Sequence, residues 1–305
     1  PFHPSHVVVV FLEPARLALR RSVRTRLREI RAGANSVQVI FAPFVSRFNE
    51  RQNAAVLGRL LRWRVGGLPI VFHCRGESAV SWAAELRKYF SGCGIVADIR
   101  GAWPEELLFE RGFNGYDEAD ELSRRDYDQA VDRVRSAVSL AGAVLSVSPD
   151  MLDWLRSVGA ESDKLTYVPC CVSQSRFSAH DRQRIRKALG FDDRIVLAYL
   201  GTISRYQHIE DGVVPFFRAV AGECASAHLL CLTNDSTSMQ AALSRGGISP
   251  DRATILHLAH GDVAAHLCAA DAGLLLRAPS RLNGFSRPTK LGEYLASGLP
   301  VILSR

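Results

Sequence analysis

Lys290 and Glu293 stand three residues apart in "SRPTKLGEYLASGLP", residues 286–300. On a helix that spacing puts both side chains on one face. Pro288 suits a first helical turn, where its missing N–H costs nothing, with Ser286 or Arg287 ahead of it as cap. The unpaired amides of that turn, the positive end of the helix dipole and the Lys290 ammonium then converge on one point, and an anion such as phosphate is the occupant they favour. Glu293 admits two readings. It either forms an ion pair with Lys290 along the helix, or accepts hydrogen bonds from vicinal hydroxyls such as those of a ribose.

Three further places offer chemistry just beyond apolar runs. In "LGTISRY" (200–206) Gly201 would let a ligand approach the backbone, and Thr202 and Arg205 follow it; a phosphate site and a plain turn are both compatible. In "ADIRGAWPEE" (97–106) Asp98 and Arg100 alternate sides at a strand end and Gly101 permits close approach, for a structural pairing or for positioning ligands. In "FHCRGES" (72–78) His73 ends a strand and Arg75 leads into a helix, as structure or as sugar-binding groups. "DYD" at 126–128 has the composition of an Asp-x-Asp metal motif, but on a helix its two acids diverge by roughly 200°, so no metal is expected there. No complete G-x-G-x-x-G or Walker sequence occurs.

The elements that must hold these residues alternate along the chain. Apolar runs at 7–13, 36–42, 69–74, 94–100 and 143–148 read as strands, separated by helical patterns near 15–31, 50–64, 78–90 and 117–141. After a polar stretch the alternation restarts, with strands at 194–202, 227–234, 253–259, 272–277 and 300–304 and helices near 208–222, 237–245, 262–270 and 288–297. Continuous rather than alternating apolar strands indicate parallel sheets covered on both faces. The fold class is therefore α/β, with two doubly wound, Rossmann-like domains facing a cleft. We place them at 1–178 and 179–305, an acceptor-side and a donor-binding domain in the reading developed below.

Composition narrows the partners. The 305 residues carry a formal charge of +7, and "ARLALRRSVRTRLREIR" (15–31) holds seven arginines against the single acid Glu29. That segment reads as an amphipathic helix with a cationic face, either simply solvated or attached to an anionic membrane surface. It lacks the interleaved aromatics of a base-stacking surface, so nucleic acid is not an expected partner. Seven scattered cysteines without a Cys-x-x-Cys pair argue for a reducing cytoplasm over a disulfide framework or a zinc site. No apolar run reaches the length of a membrane span. Because the chain starts at Pro1 and stops at Arg305 as a strand finishes, we expect a fragment whose second domain is incomplete.

"IVLAYLGT", "CAADAGLLLR" and "RPTKLGEYLASGLPVIL" together resemble the donor-binding domain of glycosyltransferase family 4, the retaining GT-B enzymes. "HCRGESA", "GIVADIRGAWPEE", "SVSPDMLDWL" and "LTYVPCCV" resemble the acceptor side of the same family, so the likeness covers most of the chain in the right order. It implies transfer of a hexose from a UDP- or GDP-sugar to a glycan or lipid-linked acceptor, with retention, without a metal and with no cofactor beyond the nucleotide-sugar. The setting it suggests is surface glycan or glycolipid synthesis, in the cytoplasm or at the inner face of the plasma membrane. Lys290 and Arg205 match the basic residues that neutralise the departing diphosphate. Gly201 and Thr202 fall at the donor-facing loop, and Glu293 matches the second acid of the family's E-x7-E pattern, which holds the ribose. The first acid should stand at 285, where this chain has Phe285, leaving Asn283, Gly284, Phe285 and Ser286 as the sugar-facing loop. His73 and Asp98 are then catalytic candidates, with Arg75, Arg100 and Gly101 on the acceptor side. A nucleotide-sugar epimerase, or a non-catalytic binding or scaffold protein, is the alternative on the same architecture.

Overall fold

The computed structural model describes residues 7–14, 25, 37–44, 50–65, 69–177 and 181–304. The Arg-rich stretch 15–31 lies, but for Thr25, outside the described residues. The chain runs β1 (Val7–Pro14), β2 (Val37–Phe44), α1 (Glu50–Val65), β3 (Val71–Arg75), α2 (Glu77–Leu86), β4 (Gly94–Ile99), α3 (Trp103–Glu110), α4 (Glu121–Leu140), β5 (Ala143–Ser146), α5 (Pro149–Ser157) and β6 (Leu165–Tyr167). It continues through α6 (Arg182–Leu189), β7 (Ile195–Leu200), α7 (Val214–Glu223), β8 (Ala227–Leu232), α8 (Ser236–Arg245), β9 (Ala253–Leu256), α9 (Val263–Leu267), β10 (Ala272–Leu275), α10 (Leu282–Phe285), α11 (Thr289–Ala296) and β11 (Val301–Leu303). Two compact units emerge, residues 1–98 with 133–144, and residues 99–132 with 145–305.

In the first unit β1 and β2 pair in parallel. β3 and β4 also pair in parallel, from Val71 opposite Gly94 to Arg75 opposite Asp98. Ala54, Leu57 and Leu61 recur at helical spacing on α1 and bury one face of it against Leu86 and Phe90. Phe72 of β3 meets Phe90 edge-on, ring centroids 5.8 Å apart.

The second unit is organised by a five-stranded sheet in the order β11-β10-β7-β8-β9, every neighbouring pair parallel. β8 is buried along its whole length. Leu229 and Cys231 point to the face packed by α7 and α8, where they meet Phe217, Met239 and Leu243, while Leu230 and Leu232 point to the face holding Leu267, Tyr294 and Leu299. Burial on both faces is why the strand sequences are continuous apolar runs. Strand order reverses between β7 and β10: from β7 the chain winds outward through β8 and β9, then crosses back to β10 and β11. In such sheets the ligand crevice opens at that reversal, beyond the carboxyl ends of the strands.

Tyr294 of α11 closes this reversal point from beneath. Its ring is fully buried, and Gly273 of β10 makes room for it, since a Cβ there would stand 2.5 Å from the ring. The Leu200 N–H donates to the Tyr294 hydroxyl at 2.8 Å, and the hydroxyl reaches the carbonyls of Leu274 at 3.2 Å and Ala198 at 3.3 Å. One phenol thus serves backbone groups of both β7 and β10 next to the last paired residues, Tyr199 and Leu274. Tyr294→Phe is expected to cost about 1–3 kcal/mol, the penalty for stranding buried partners, and to lower the thermal midpoint in a melting experiment.

Helices α5, α6 and α10 have no counterpart in the sequence reading, and α6 shows why. The polar stretch that opens the second half conceals α6, capped by Asp181, whose carboxylate accepts from the Arg184 N–H at 2.9 Å. Besides Ile185 and Leu189, arginines hold it: Arg182 donates to the Cys268 carbonyl at 2.7 Å and Arg186 to that of Ala269 at 2.8 Å, and both pair with Asp271. A helix attached through guanidinium–carbonyl bonds shows too little apolar periodicity to be read from sequence. Among the described residues no helix is long and apolar enough to cross a membrane.

Candidate functional site

The loop after β7 and the start of α11 meet at the strand-order reversal. Gly201 has φ 138°, a conformation side chains disfavour, and a Cβ on it would collide with the Lys290 ammonium. The loop is pinned on the β8 side by the Ile203 N–H, which donates to Asp235 Oδ2 at 2.7 Å, and by the Gly201 N–H, which donates to the Leu232 carbonyl at 3.0 Å. The Tyr199 hydroxyl donates to the Thr202 carbonyl at 2.7 Å. Lys290 lies over the Tyr199 ring, 5.5 Å from its centroid, and donates to Oε1 of buried Gln207 at 2.9 Å. Gly201, Thr202 and Lys290 therefore come together. Helix α11 starts one residue later than the spacing suggested: Pro288 is its cap residue, and Thr289 and Lys290 open the first turn.

A second cation reaches this place from β10. Arg277, just beyond the strand, donates through Nη1 to Ser286 Oγ at 3.0 Å, and its guanidinium stacks 5.1 Å from the Tyr206 ring centroid. Its Nε is buried with no hydrogen-bond partner. Burial, with Arg277 next in importance and Glu293 opposing, brings the Lys290 ammonium from 10.5 down to about 7. Burial likewise lowers Arg277. Among the described residues no carboxylate bridges these two partly desolvated cations, so they make a site that an anion would complete.

Orphaned polar atoms gather in the same loops. Ser204 Oγ after β7, and Arg277 Nε, Ser280 Oγ and Asn283 Oδ1 after β10, are buried without a partner. Buried polar atoms in folded proteins are nearly always bonded, so four in two adjoining loops point to a polar ligand. The loops are tied to each other by the Ala278 N–H, which donates to the Tyr206 carbonyl at 3.2 Å.

Beside these loops a cavity of about 350 Å³ lies within the second unit. Arg277, Phe285, Ser286 and Pro288 border it on one side, and Arg100, Gly101, Glu106 and Phe109 on another. Phe285 itself is buried, 5.9 Å from Trp154 between ring centroids, with Arg281 stacked 5.4 Å from its ring. Its carbonyl accepts from Ser148 Oγ at 3.0 Å, the same oxygen that caps α5 by accepting from the Met151 N–H at 3.1 Å. Gly284 lies against Asp150. Asn283 donates to the Ala278 carbonyl through Nδ2. The expected 283–286 loop is thus the end of the short helix α10 with Ser286 as its cap, and its side chains are divided between structure and the cavity.

The remaining candidates fall as follows. Arg205 turns away from Lys290: it donates to the carbonyls of Phe109 at 2.6 Å and Gly112 at 3.2 Å and stacks on the Phe109 ring at 4.6 Å. Glu293 lies on α11 close enough to Lys290 to raise it. In the first unit His73 Nε2 lies 3.1 Å from Oδ2 of buried Asp98, so those two come together across β3 and β4, with Arg75 opposite Asp98 in register. Arg100 and Gly101 reach the cavity, with Gly101 close against Glu106. Glu105 is buried and accepts from the Tyr127 hydroxyl at 3.0 Å, with Arg281 at 3.3 Å. Asp126 pairs with Arg111 and Asp128 accepts from Tyr116, as two diverging residues of α4 would. Among the described residues no group of three or more His, Cys, Asp or Glu side chains is placed to hold a metal. Arg277, Tyr206 and Gln207 are the residues that sequence reasoning missed; the one available signal was that Arg277 ends an apolar run, "AGLLLR", in a parallel sheet.

No protein-family model matches the chain, and no curated protein matches it in sequence. Solved structures do. HepE of Anabaena in complex with UDP-glucose is 13% identical, with a TM-score of 0.64 over 98% of this chain and 80% of that one. Sucrose-phosphate synthase from Thermosynechococcus elongatus gives 15% identity and a TM-score of 0.62 over 98% and 81% of the two chains. A glycosyltransferase from Rickettsia africae gives 10% and 0.63 over 98% and 79%. The chain has the GT-B fold. In GT-B terms the β7–α11 site belongs to a Rossmann-like sheet of reversed strand order, the place where such sheets take nucleotides.

Lys290 supplies a pH signature for an anion at this site. In the free GT-B chain it titrates near 7, and a bound diphosphate would raise it by offering a counter-charge. Binding a nucleotide-sugar above that pH must then take up a proton, approaching one per site at pH 8, and affinity should weaken about tenfold per pH unit above about 7. Titration calorimetry in buffers of different ionisation heat measures the uptake. A nucleotide-sugar is the suitable probe because its diphosphate, esterified at both ends, does not titrate in this range. For the free protein the sign runs the other way: the unfolded chain keeps the Lys290 proton up to about 10.4, so this group makes stability rise with pH from about 7 upward.

Proposed function

We propose that this chain is a retaining, metal-independent glycosyltransferase of family 4, moving a hexose from a UDP- or GDP-sugar to an acceptor hydroxyl in surface glycan or glycolipid synthesis. Residues 1–178 would carry the acceptor side and 179–305 the donor site. The observation that carries the reading is the meeting of Gly201, Lys290 and Arg277 at the strand-order reversal, with four orphaned polar atoms around them. The motif resemblance and the GT-B fold support it, as does the UDP-glucose complex of HepE, which favours UDP as the first nucleotide to try.

Chemically, the bond from the sugar's anomeric carbon to the diphosphate breaks while a bond to the acceptor oxygen forms on the same face. Lys290, Arg277 and the first-turn amides of α11 would stabilise the charge growing on the diphosphate. A phosphate oxygen takes the acceptor's proton, so no protein base is required. Glu293 would hold the ribose, and no cofactor beyond the nucleotide-sugar enters. The Arg-rich stretch 15–31 would favour an anionic membrane surface, which suits a lipid-linked acceptor and a cytoplasmic, peripheral location.

Phe285 favours one second reading. Its ring is buried against Trp154 where the family resemblance places an acid, which suits a binding protein without turnover. Incubation with UDP- and GDP-sugars, followed by measuring the released nucleotide, separates the two. Release supports the transferase; tight binding with no release supports the binder.

A further inference from the structure

Helix α1 presents three sectors. Asn53, Ala54, Leu57 and Leu61 are buried; Arg51, Arg59 and Arg62 are exposed; and Val56, Leu60 and Trp63 form a third, apolar stripe that is also exposed, at 64%, 42% and 76% of their surface. At 3.6 residues per turn the three sectors are centred roughly a third of a turn apart. An ordinary surface helix has one apolar face, turned to the core. This one has a second, at the spacing i, i+4, i+7, crowned by the most exposed of the large apolar side chains described.

We propose that this stripe of α1 docks the protein on an anionic phospholipid bilayer, with Trp63, Leu60 and Val56 entering the headgroup boundary and Arg59 and Arg62 lying against lipid phosphates. Charge complementarity selects the bilayer: the helix carries four arginines, Arg51, Arg59, Arg62 and Arg64, against one acid, Glu50 at its first residue. Trp with Leu on one sector and Arg on the next is the composition of a helix lying in the membrane interface. A second copy of the chain is a poorer fit, because a two-fold contact through this stripe would bring the arginine rows of both copies together. The surface is distinct from the nucleotide site and does not depend on how that site is read.

The test is flotation of the full chain with vesicles one-third phosphatidylglycerol, against vesicles of phosphatidylcholine alone. The wild type should partition to the anionic vesicles at least about tenfold better. Leu60→Ser with Trp63→Ser, which touches only exposed positions and leaves segment 15–31 intact, should remove that partitioning by about tenfold or more with an unchanged thermal midpoint. As a second variant, Arg59→Glu with Arg62→Glu should lose it comparably. Unchanged partitioning of both double variants overturns the proposal, since another segment would then carry the binding. So does a wild type that ignores vesicles and sediments as a dimer that Leu60→Ser with Trp63→Ser converts to a monomer.

Discussion

Lys290→Ala should lower turnover by about 10²–10³-fold while leaving the fold intact, the scale seen when one preorganised stabiliser of transition-state charge is removed. Two opposing effects keep the structural cost small. Gln207 Oε1 loses its donor in a buried position, worth about 1–3 kcal/mol at most. Against that, a partly desolvated ammonium beside Arg277 is no longer confined there. Steady-state kinetics with circular dichroism and a melting curve separate catalysis from folding. Near-normal turnover in a well-folded variant would remove Lys290 from the chemistry.

Arg277→Ala is expected to weaken nucleotide-sugar binding by about 10–100-fold, the equivalent of one or two hydrogen bonds to a charged group. It carries a signature that a purely structural arginine would lack. Arg277 is the second cause, after burial, of the lowered Lys290, so without it Lys290 should titrate higher. The pH at which binding starts to weaken should then move up, and proton uptake at pH 8 should shrink. Arg277→Lys keeps a like charge near Lys290 but cannot offer the buried Nε–H. That variant should therefore hold the pH midpoint while losing affinity. An affinity loss with no shift of the pH profile in Arg277→Ala would assign the residue to holding Ser286 alone.

How much of this was legible beforehand differs from one residue to the next. The inner strands β7 and β8 were readable because both of their faces are buried, which writes them as unbroken apolar runs. The start of α11 was readable because its signals are local: Pro288, Lys290 and Glu293 lie within six residues. Even there Pro288 occupies the cap position itself, since its ψ of 126° is extended. Arg205 and Arg277 show where local reading ends. Both follow strands of one parallel sheet, but Arg205 is drawn to carbonyls 96 and 93 residues away, at Phe109 and Gly112. Arg277 points back to the site because Tyr206 and Ser286 receive it. No spacing within the loop distinguishes the two. Tyr294 hides differently, as an apolar position of an amphipathic helix whose hydroxyl is spent on the diverging strands.

Calorimetric titration with UDP and GDP, on the wild type and on Lys290→Ala, tests the central claim most directly. The account predicts one site per chain for one of the two nucleotides, with affinity at least about tenfold lower in the variant. If neither nucleotide binds the wild type, or if the variant binds as tightly, the strand-order reversal at β7 and β10 is not a nucleotide site.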